Sequence, residues 1–229
     1  VRDPSPLIQL TRGPYMQVCT PTSVVFRWRT NFGENSRVAC STGVPGAAAV
    51  VVSDAARVTE HEVTVTGFMP DTLYYYSVGS YSRMLAGADT CSFRTHPLPG
   101  QPKPLRLWVT GDAGTADDHA QAVRDAFESA NGTNAVHAWL QLGDNAYMEG
   151  TDEQYQAAMF DMYAARLRQT PVWTTTANHE TYSTDWNGQY PYLNIFTVPT
   201  LGEVGGVASG TKLYYSFDIG MVHVISLDS

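Results

Sequence analysis

Three short polar runs repeat at nearly equal intervals in the second half of the chain, each directly after an apolar stretch typical of a buried strand. They are Gly-Asp-Ala-Gly at 111–114, Gly-Asp-Asn-Ala-Tyr at 143–147 and Asn-His-Glu at 178–180. From Asp112 to Asp144 is 32 positions and from Asp144 to Asn178 is 34, about one βαβ unit each. Because residues just past the carboxyl ends of strands in an open α/β sheet converge on one crevice, we expect these runs to meet at one sheet edge.

The side chains in these runs are suited to a metal site. The candidates are Asp112, Asp144, Tyr147, Asn178 and His179, which combine hard oxygen ligands with an imidazole. One aspartate after a buried strand, taken singly, is about equally often a helix N-cap. The five residues taken together favour the metal interpretation. Two ions roughly 3.5–4 Å apart would need a bridging carboxylate, and an aspartate on the middle loop is the natural choice.

Composition excludes some classes of protein. The 229 residues carry a net charge of −8, with a pI of about 5.1, which argues against a nucleic-acid scaffold with its basic stripe. Hydrophobic residues make up 43% and charged residues 16%, so a sizeable core can form. No apolar run approaches the ~18 residues needed to span a membrane.

The start of the chain and its cysteines leave alternatives open. The polar, proline-rich start without methionine fits a processed secreted chain, a cytosolic one or an engineered start, and processing or engineering is mildly favoured. Of Cys19, Cys40 and Cys91, two could form a disulfide and leave the third free, or all three could be packed thiols. Asn131-Gly132-Thr133 fits the glycosylation sequon, a triplet that is common by chance.

Residues 1–97 are predicted to be all-β. Short stretches alternate apolar and polar residues, and turns are predicted at 31–33, 43–46 and 69–72, which favours a sandwich of about seven strands. The phrase Gly-Phe-Met-Pro-Asp-Thr-Leu-Tyr-Tyr-Tyr at 67–76 resembles the E–F corner of fibronectin type III domains, where a tyrosine corner lies. The three adjacent tyrosines are therefore interpreted as core and corner residues.

The pattern changes after a proline-rich stretch. Residues 96–104 hold four prolines in nine positions, and we place a stiff linker at 98–104. From 105 to 229 the pattern is strand, helix, strand, helix, strand, with helices predicted at 117–130 and 152–168 and a capping-box start at 151–154. Residues 181–210 are predicted to form a long loop over the site, and 212–218 with 221–227 a closing hairpin. The predicted fold class is an all-β sandwich followed by an α/β sandwich.

The blocks in the second half resemble those of a known family. Asp112-Ala113-Gly114 is similar to the D-x-G block of calcineurin-like metallophosphoesterases. The 143–147 run is similar to the G-D-x-x-Y block whose tyrosine is particular to purple acid phosphatases, and 177–180 resembles G-N-H-E with alanine in the first position. A fibronectin-like first domain is also similar to that of plant-type and bacterial purple acid phosphatases.

The resemblance implies roles for these residues. Asp112 and Tyr147 would bind Fe(III), and Asp144 would bridge it to a divalent ion (Zn, Mn or Fe) that Asn178 also binds. His179 would contact the phosphate group and help protonate the leaving group. The implied reaction is hydrolysis of small phosphate monoesters at acid pH, with a metal-bound hydroxide attacking phosphorus, by a secreted, periplasmic or extracellular enzyme.

The chain departs from the family pattern. Two further blocks, V-x-x-H and G-H-x-H, supply three metal-binding histidines in the family, and no histidine of this chain lies in either. His223 is predicted to be a core or packing residue in the last strand. We therefore expect an incomplete phosphatase that, on its own, binds metal weakly or not at all and exposes a sheet edge.

Two alternatives to a monoesterase stay open. One is a phosphodiesterase or nucleotide pyrophosphatase on the same scaffold, and the loop at 181–210 would decide between the two. The other is a non-catalytic interaction protein that keeps the fold without the metals. The joint presence of Asp112, Asp144, Tyr147 and Asn178 argues against the second alternative for the full-length protein.

Overall fold

The first half of the protein is an antiparallel β structure. The computed structural model describes residues 7–43 and 50–228. Within these ranges the first half has six strands: β1 (Leu10–Gln17), β2 (Ser23–Ser41), β3 (Val50–Thr66), β4 (Leu73–Gly79), β5 (Met84–Ala86) and β6 (Ser92–Arg94). Strand β2 is the centre, pairing with β1, β3 and β4. The all-β prediction is confirmed, with six strands in the described ranges rather than seven.

One predicted turn in this half is wrong. β2 runs unbroken through residues 31–33, and the irregularity is absorbed by shifts in its pairing with β3 between Arg29 and Ser36. A bulge of this kind bends a strand without ending it, so the Asn-Phe-Gly signal marks a bend rather than a turn. Of the turn predicted at 43–46, residues 44–46 lie outside the described residues.

The predicted tyrosine corner is present. The backbone N–H of Met69 donates to the hydroxyl of Tyr74 at 2.9 Å, and the Tyr74 ring stacks on Phe93 with centroids 5.7 Å apart. Tyr74 and Tyr76 are buried, and Tyr75 between them is half-buried. The tyrosines are therefore core and corner residues, which is consistent with a fibronectin-like fold.

The second half has the predicted strand–helix alternation. Its elements are β7 (Leu107–Thr110), α1 (Asp118–Asn131), β8 (Ala138–Gln141), α2 (Asp152–Tyr155), α3 (Ala164–Leu167), β9 (Val172–Thr174), α4 (Asn178–Thr181), α5 (Pro191–Ile195), β10 (Tyr215–Ile219) and β11 (Val222–Ser226). β7, β8 and β9 form a parallel sheet in that order, and β10 pairs with β11 as the predicted hairpin. None of the helices among the described residues has the length and apolar character that crossing a bilayer requires.

The helix predicted at 152–168 is not continuous. Thr151 and Gln154 form the predicted capping box, but after α2 the chain forms a π-helical segment, Gln156–Asp161, before α3. Packing accounts for the difference, because Phe160 in this segment lies 4.8 Å from the ring of Tyr15. The wider π-helical turn places Phe160 against β1. Hydrophobic periodicity in the sequence does not reveal this packing requirement.

The cysteine and sequon alternatives are resolved. Cys19, Cys40 and Cys91 are buried free thiols. Burial raises the pKa of Cys19 and of Cys40 to about 12, so both are unreactive in the folded state. Asn131 is only 3% exposed, and its Nδ2 donates to the carbonyl of Asn134 at 2.8 Å, which is the geometry of a buried helix end rather than of an accessible glycan acceptor.

The prediction for His223 is wrong. Its side chain is 46% exposed, and Nδ1 lies 2.6 Å from Oδ1 of Asp218 on the paired strand. In a two-stranded hairpin one face stays open to solvent, so the apolar neighbours of His223 in the sequence do not imply burial.

The two halves share a hydrophobic core. One buried cluster joins residues of the β half, such as Phe26 and Phe93, to Trp173 of β9 and Phe217 of β10. Trp173 and Phe217 stack with centroids 3.7 Å apart. The proline-rich segment therefore separates the halves along the chain but not in the core.

An ion-pair cluster also ties the halves together. The carboxylate of Asp152 accepts two hydrogen bonds from Arg12, at 2.9 and 3.0 Å, and two from Arg29, at 2.5 and 2.7 Å. Burial of Asp152 by itself raises its pKa, but the hydrogen bonds from Arg29 and Arg12 outweigh burial and lower the pKa to about 2. The side chain of Arg12 is fully buried, so its charge depends on this partner.

We expect Asp152→Asn to lower the free energy of unfolding by roughly 1–2 kcal/mol at pH 7, after a discount for solvent screening of a partly exposed group. Because the folded pKa is depressed, this stabilisation is present above pH ~4 and is lost as the pH falls from there towards 2. Urea unfolding at pH 7 and pH 3 measures the free energy of unfolding of the wild-type protein and of Asp152→Asn. The matched control is Glu153→Gln, the exposed neighbour in the same helical turn. A gap between Asp152→Asn and wild type that does not shrink at pH 3 would contradict this account.

Candidate active site

The three polar runs lie at the carboxyl ends of three adjacent parallel strands. Asp112 follows β7, Asp144 and Tyr147 follow β8, and Asn178 and His179 open α4 after β9. The loops are joined directly, since the N–H of Asp112 donates to the carbonyl of residue 143 at 3.2 Å. The parallel order of the sheet thus places all three runs at one edge.

Three oxygen atoms converge at this edge. The hydroxyl of Tyr147 lies 2.9 Å from Oδ1 of Asp112 and 3.0 Å from Oδ2 of Asp144. Burial, and then the hydrogen bonds to Asp112 and Asp144, raise the pKa of Tyr147. A phenol has one proton, so it can satisfy only one of the two carboxylates at a time.

The backbone holds both aspartates in an uncommon conformation. Asp112 has φ 54° and Asp144 has φ 53°, in the left-handed region that costs most residues 1 kcal/mol or more, although aspartate tolerates it better than most. Gly114 permits the close approach of the two loops, because a Cβ there would collide with the backbone of Ala146. The loops are therefore shaped to aim the carboxylates, which is a common property of functional sites.

The third loop contributes His179 through its backbone and its ring. Its N–H donates to Oδ1 of Asp144 at 3.3 Å, while its ring stands edge-on to Tyr147 with centroids 4.6 Å apart. Nδ1 lies 2.6 Å from the carbonyl of Met148. A carbonyl only accepts, so Nδ1 carries a proton and Nε2 is the nitrogen left for other partners.

Asn178 lies at the same edge but outside the oxygen cluster. Its side chain is exposed, and its Nδ2 donates to the hydroxyl of Tyr182 at 2.9 Å. Of the five predicted site residues, the structure thus joins Asp112, Asp144 and Tyr147 directly and brings His179 against two of them. Asn178 is placed next to His179 at the start of α4.

The sequence analysis gave no role to Glu180, which organises the site. Glu180 is completely buried, and its carboxylate accepts three backbone N–H groups: from Asp144 at 3.1 Å, Asn145 at 2.5 Å and Ala177 at 2.8 Å. It therefore clamps the second loop to the third. The available signal was a glutamate three residues after the helix N-cap, the position from which it can reach back to free N–H groups.

The alanine that replaces the usual glycine at 177 is accommodated. Ala177 has φ −142° and ψ −167°, which is extended backbone open to any residue. Its methyl group lies in the space that a side chain at Gly143 would need. The glycine that this contact requires is therefore at 143, where φ is 103°, and not at 177.

The donor set fits a hard cation in part. Two carboxylates aimed at one hydroxyl leave an acceptor unsatisfied, and a cation among the three oxygens would satisfy all of them. Within residues 7–43 and 50–228, no group of three or more His, Cys, Asp or Glu side chains is placed to hold a metal ion. The site thus supplies oxygens from Asp112, Asp144 and Tyr147 without a histidine ligand set among those residues.

Comparison with known proteins agrees with this geometry. The sequence profile of the calcineurin-like phosphoesterases matches residues 105–223, which is more than half of the chain. The chain belongs to the calcineurin-like phosphoesterase family. The profile begins where the proline-rich segment ends and covers all three loops.

Purple acid phosphatases are among its relatives. Purple acid phosphatase 15 of Arabidopsis thaliana is 26% identical over 200 residues, covering 73% of this chain and 34% of the relative. Purple acid phosphatase 23 of the same plant is 27% identical over 198 residues, covering 73% of this chain and 40% of the relative. The chain therefore spans between a third and two fifths of the length of these relatives.

Solved structures show the same fold. PhoD aligns with a TM-score of 0.63 at 16% identity, over 92% of this chain and 50% of its own. Purple acid phosphatase PPD1 from yellow lupin (Lupinus luteus) seeds aligns with a TM-score of 0.61 at 16% identity, over 95% of this chain and 43% of its own. Both alignments extend over the β half as well as the phosphoesterase half.

We expect Glu180→Gln to lower the free energy of unfolding by about 2–3 kcal/mol, because an amide has one acceptor oxygen and would turn its NH₂ towards at least one of the three N–H donors. Hydrogen exchange should accelerate at the amides of Asp144, Asn145 and Ala177. Glu149→Gln, at an exposed glutamate of the loop that follows β8, is the control. Unchanged protection of the three amides in Glu180→Gln would show that the clamp is not what holds the loops.

Proposed function

We propose that the protein containing this chain hydrolyses phosphate monoesters with a binuclear Fe(III)–M(II) centre, M being Zn, Mn or Fe. The observation that carries the proposal is the convergence of Asp112, Asp144 and Tyr147 on one point, with a single proton among two carboxylates and a phenol. A phenolate favours a hard trivalent ion, and the relatives named above are purple acid phosphatases.

Asp144 is suited to a bridging role. Its Oδ2 faces Tyr147, whereas its Oδ1 accepts the N–H of His179 on the other loop. The two oxygens are thus directed to different sides, one towards Asp112 and Tyr147 and the other towards the loop of Asn178. In the proposal Asp112 and Tyr147 would hold the ferric ion, Asn178 would hold the divalent ion, and Asp144 would be shared between them.

Bound here, two ions would neutralise charge on the phosphate oxygens and lower the pKa of an attacking water. His179 is placed to donate a proton. Its Nδ1–H is committed to the carbonyl of Met148, so the ring is held by one nitrogen. In the imidazolium form, which carries a second proton, Nε2–H can donate to a phosphate oxygen or pass that proton to the leaving group. The proposed substrates are small phosphate esters and the proposed location is secreted, periplasmic or extracellular.

We expect the iron-loaded full-length protein to show a visible charge-transfer band that Tyr147→Phe abolishes, because phenylalanine has no phenolate to donate charge to Fe(III). Absorption spectra with parallel iron analysis measure it. Tyr81→Phe, at an exposed tyrosine of the β half, should keep the band. Wild-type protein that takes up no iron, or a band that survives in Tyr147→Phe, would contradict the proposed ferric site.

Substrate preference separates the monoesterase from a diesterase on the same scaffold. We expect the full-length protein to turn over 4-nitrophenyl phosphate at least about tenfold faster than bis(4-nitrophenyl) phosphate, a difference of roughly 1.4 kcal/mol in activation free energy. Parallel initial-rate measurements with both substrates test this. The reverse preference would assign diester hydrolysis, and turnover of neither would favour an interaction protein.

A further inference from the structure

Tyr182, which the sequence analysis assigned only to the loop at 181–210, contacts two residues of the candidate site. Its hydroxyl accepts the Nδ2 proton of Asn178 at 2.9 Å, and its ring lies against the ring of His179 with centroids 4.8 Å apart. Asn178 and Tyr182 are four residues apart, the spacing at which side chains meet along a helical turn, and α4 with its first following residue supplies that turn.

The direction of the Asn178–Tyr182 hydrogen bond has a chemical consequence. An asparagine amide has one end that donates and one that accepts, and only the carbonyl end can bind a cation. With Nδ2 committed to Tyr182, Oδ1 is the end that stays available. In the part of the chain that the structure describes, the Oδ1 atom of Asn178 meets no protein donor.

Tyr182 is fixed in position by side-chain contacts although it is exposed. Its side chain is 59% exposed, yet its hydroxyl and one side of its ring are engaged by Asn178 and His179. The helical turn beneath it is fixed by the Glu180 carboxylate, which reaches back to the N–H of Ala177. A second contact of this kind commonly determines how a metal-binding side chain is oriented.

We propose that Tyr182 is a positioning residue that orients the amide of Asn178 so that its oxygen faces the divalent ion. The proposal rests on the proposed function, because it assumes that Asn178 binds that ion. It adds a residue outside the three polar runs and predicts a separable effect, since Tyr182 acts on the divalent site and not on the oxygens of Asp112 and Tyr147.

The test is the affinity of the full-length protein for Mn²⁺ at the divalent site, measured by calorimetry on iron-loaded protein. We expect Tyr182→Phe, which keeps the ring and removes the hydroxyl, to weaken Mn²⁺ binding by about 10-fold or more, as such outer contacts commonly do. The visible band of Tyr147 and the thermal midpoint should stay at their wild-type values. Unchanged Mn²⁺ affinity, or loss of the band along with it, would overturn the proposal.

The same substitution made in an Asn178→Asp variant distinguishes an orienting role of Tyr182 from a packing role. In Asn178→Asp both ends of the side chain are oxygens, so orientation no longer matters, and Tyr182→Phe should then change Mn²⁺ affinity by less than about twofold. An equal loss in both backgrounds would overturn the positioning role. Wild-type protein that binds none of Mn²⁺, Zn²⁺ and Fe²⁺ at this site would instead refute the proposed function, and the role of Tyr182 with it.

A measurement on metal-free wild-type protein needs no variant. With selective labelling of asparagine, the hydrogen-bonded side-chain proton of Asn178 should exchange with solvent at least several times more slowly than that of Asn187, an exposed asparagine a few residues along the same loop. Equal exchange rates at the two side chains would show that the hydrogen bond is not maintained in solution and would overturn the proposal.

Discussion

One buried carboxylate holds the site together. The three N–H groups that Glu180 accepts come from two loops that are more than thirty residues apart in sequence. Each of these donors would be costly to bury without a partner, so the two loops are stable in this arrangement only together with Glu180. This contact sets the orientation of the Asp144 carboxylate and the position of the His179 N–H. It also sets the path of the chain into α4. The half-buried His179 and the buried Glu180, whose carboxylate holds the two loops together, are thus neighbours in sequence.

A second charged contact connects this site to the β half. Asp152 begins the helix that follows the Tyr147 loop, and two arginines from different β strands converge on it. Because the Arg12 side chain is buried, its charge depends on the Asp152 carboxylate, and loss of that partner would destabilise the fold. The β half therefore helps to set the position of the loop that carries Tyr147, although it contributes no side chain to the oxygen cluster.

Sequence reasoning predicted much of the architecture and the meeting of the three polar runs at one sheet edge, for a physical reason. Strands β7, β8 and β9 are short and largely apolar and are followed by polar runs, two of which contain glycine, so local pattern and sheet topology agree, and Asp112, Asp144 and Tyr147 fall where the topology requires. The failures share a different cause. The unbroken β2, the π-helical segment around Phe160 and the exposure of His223 all depend on which neighbour each element packs against. Glu180 and Tyr182 were given no role because their contacts are specific hydrogen bonds, from Glu180 between two loops and from Tyr182 within the turn of α4, and hydrophobic periodicity does not encode those.

The shared core limits how the β half can be exchanged. Trp173 lies in the parallel sheet of the phosphoesterase half, yet it belongs to the same buried cluster as Phe26 and Phe93 of the β half. The proline-rich segment therefore divides the chain, but the stabilities of the two halves are coupled through the shared core. The β half forms one side of the core that it shares with the phosphoesterase half, so a foreign β domain grafted before residue 98 would have to supply the same buried contacts to Trp173 and Phe217.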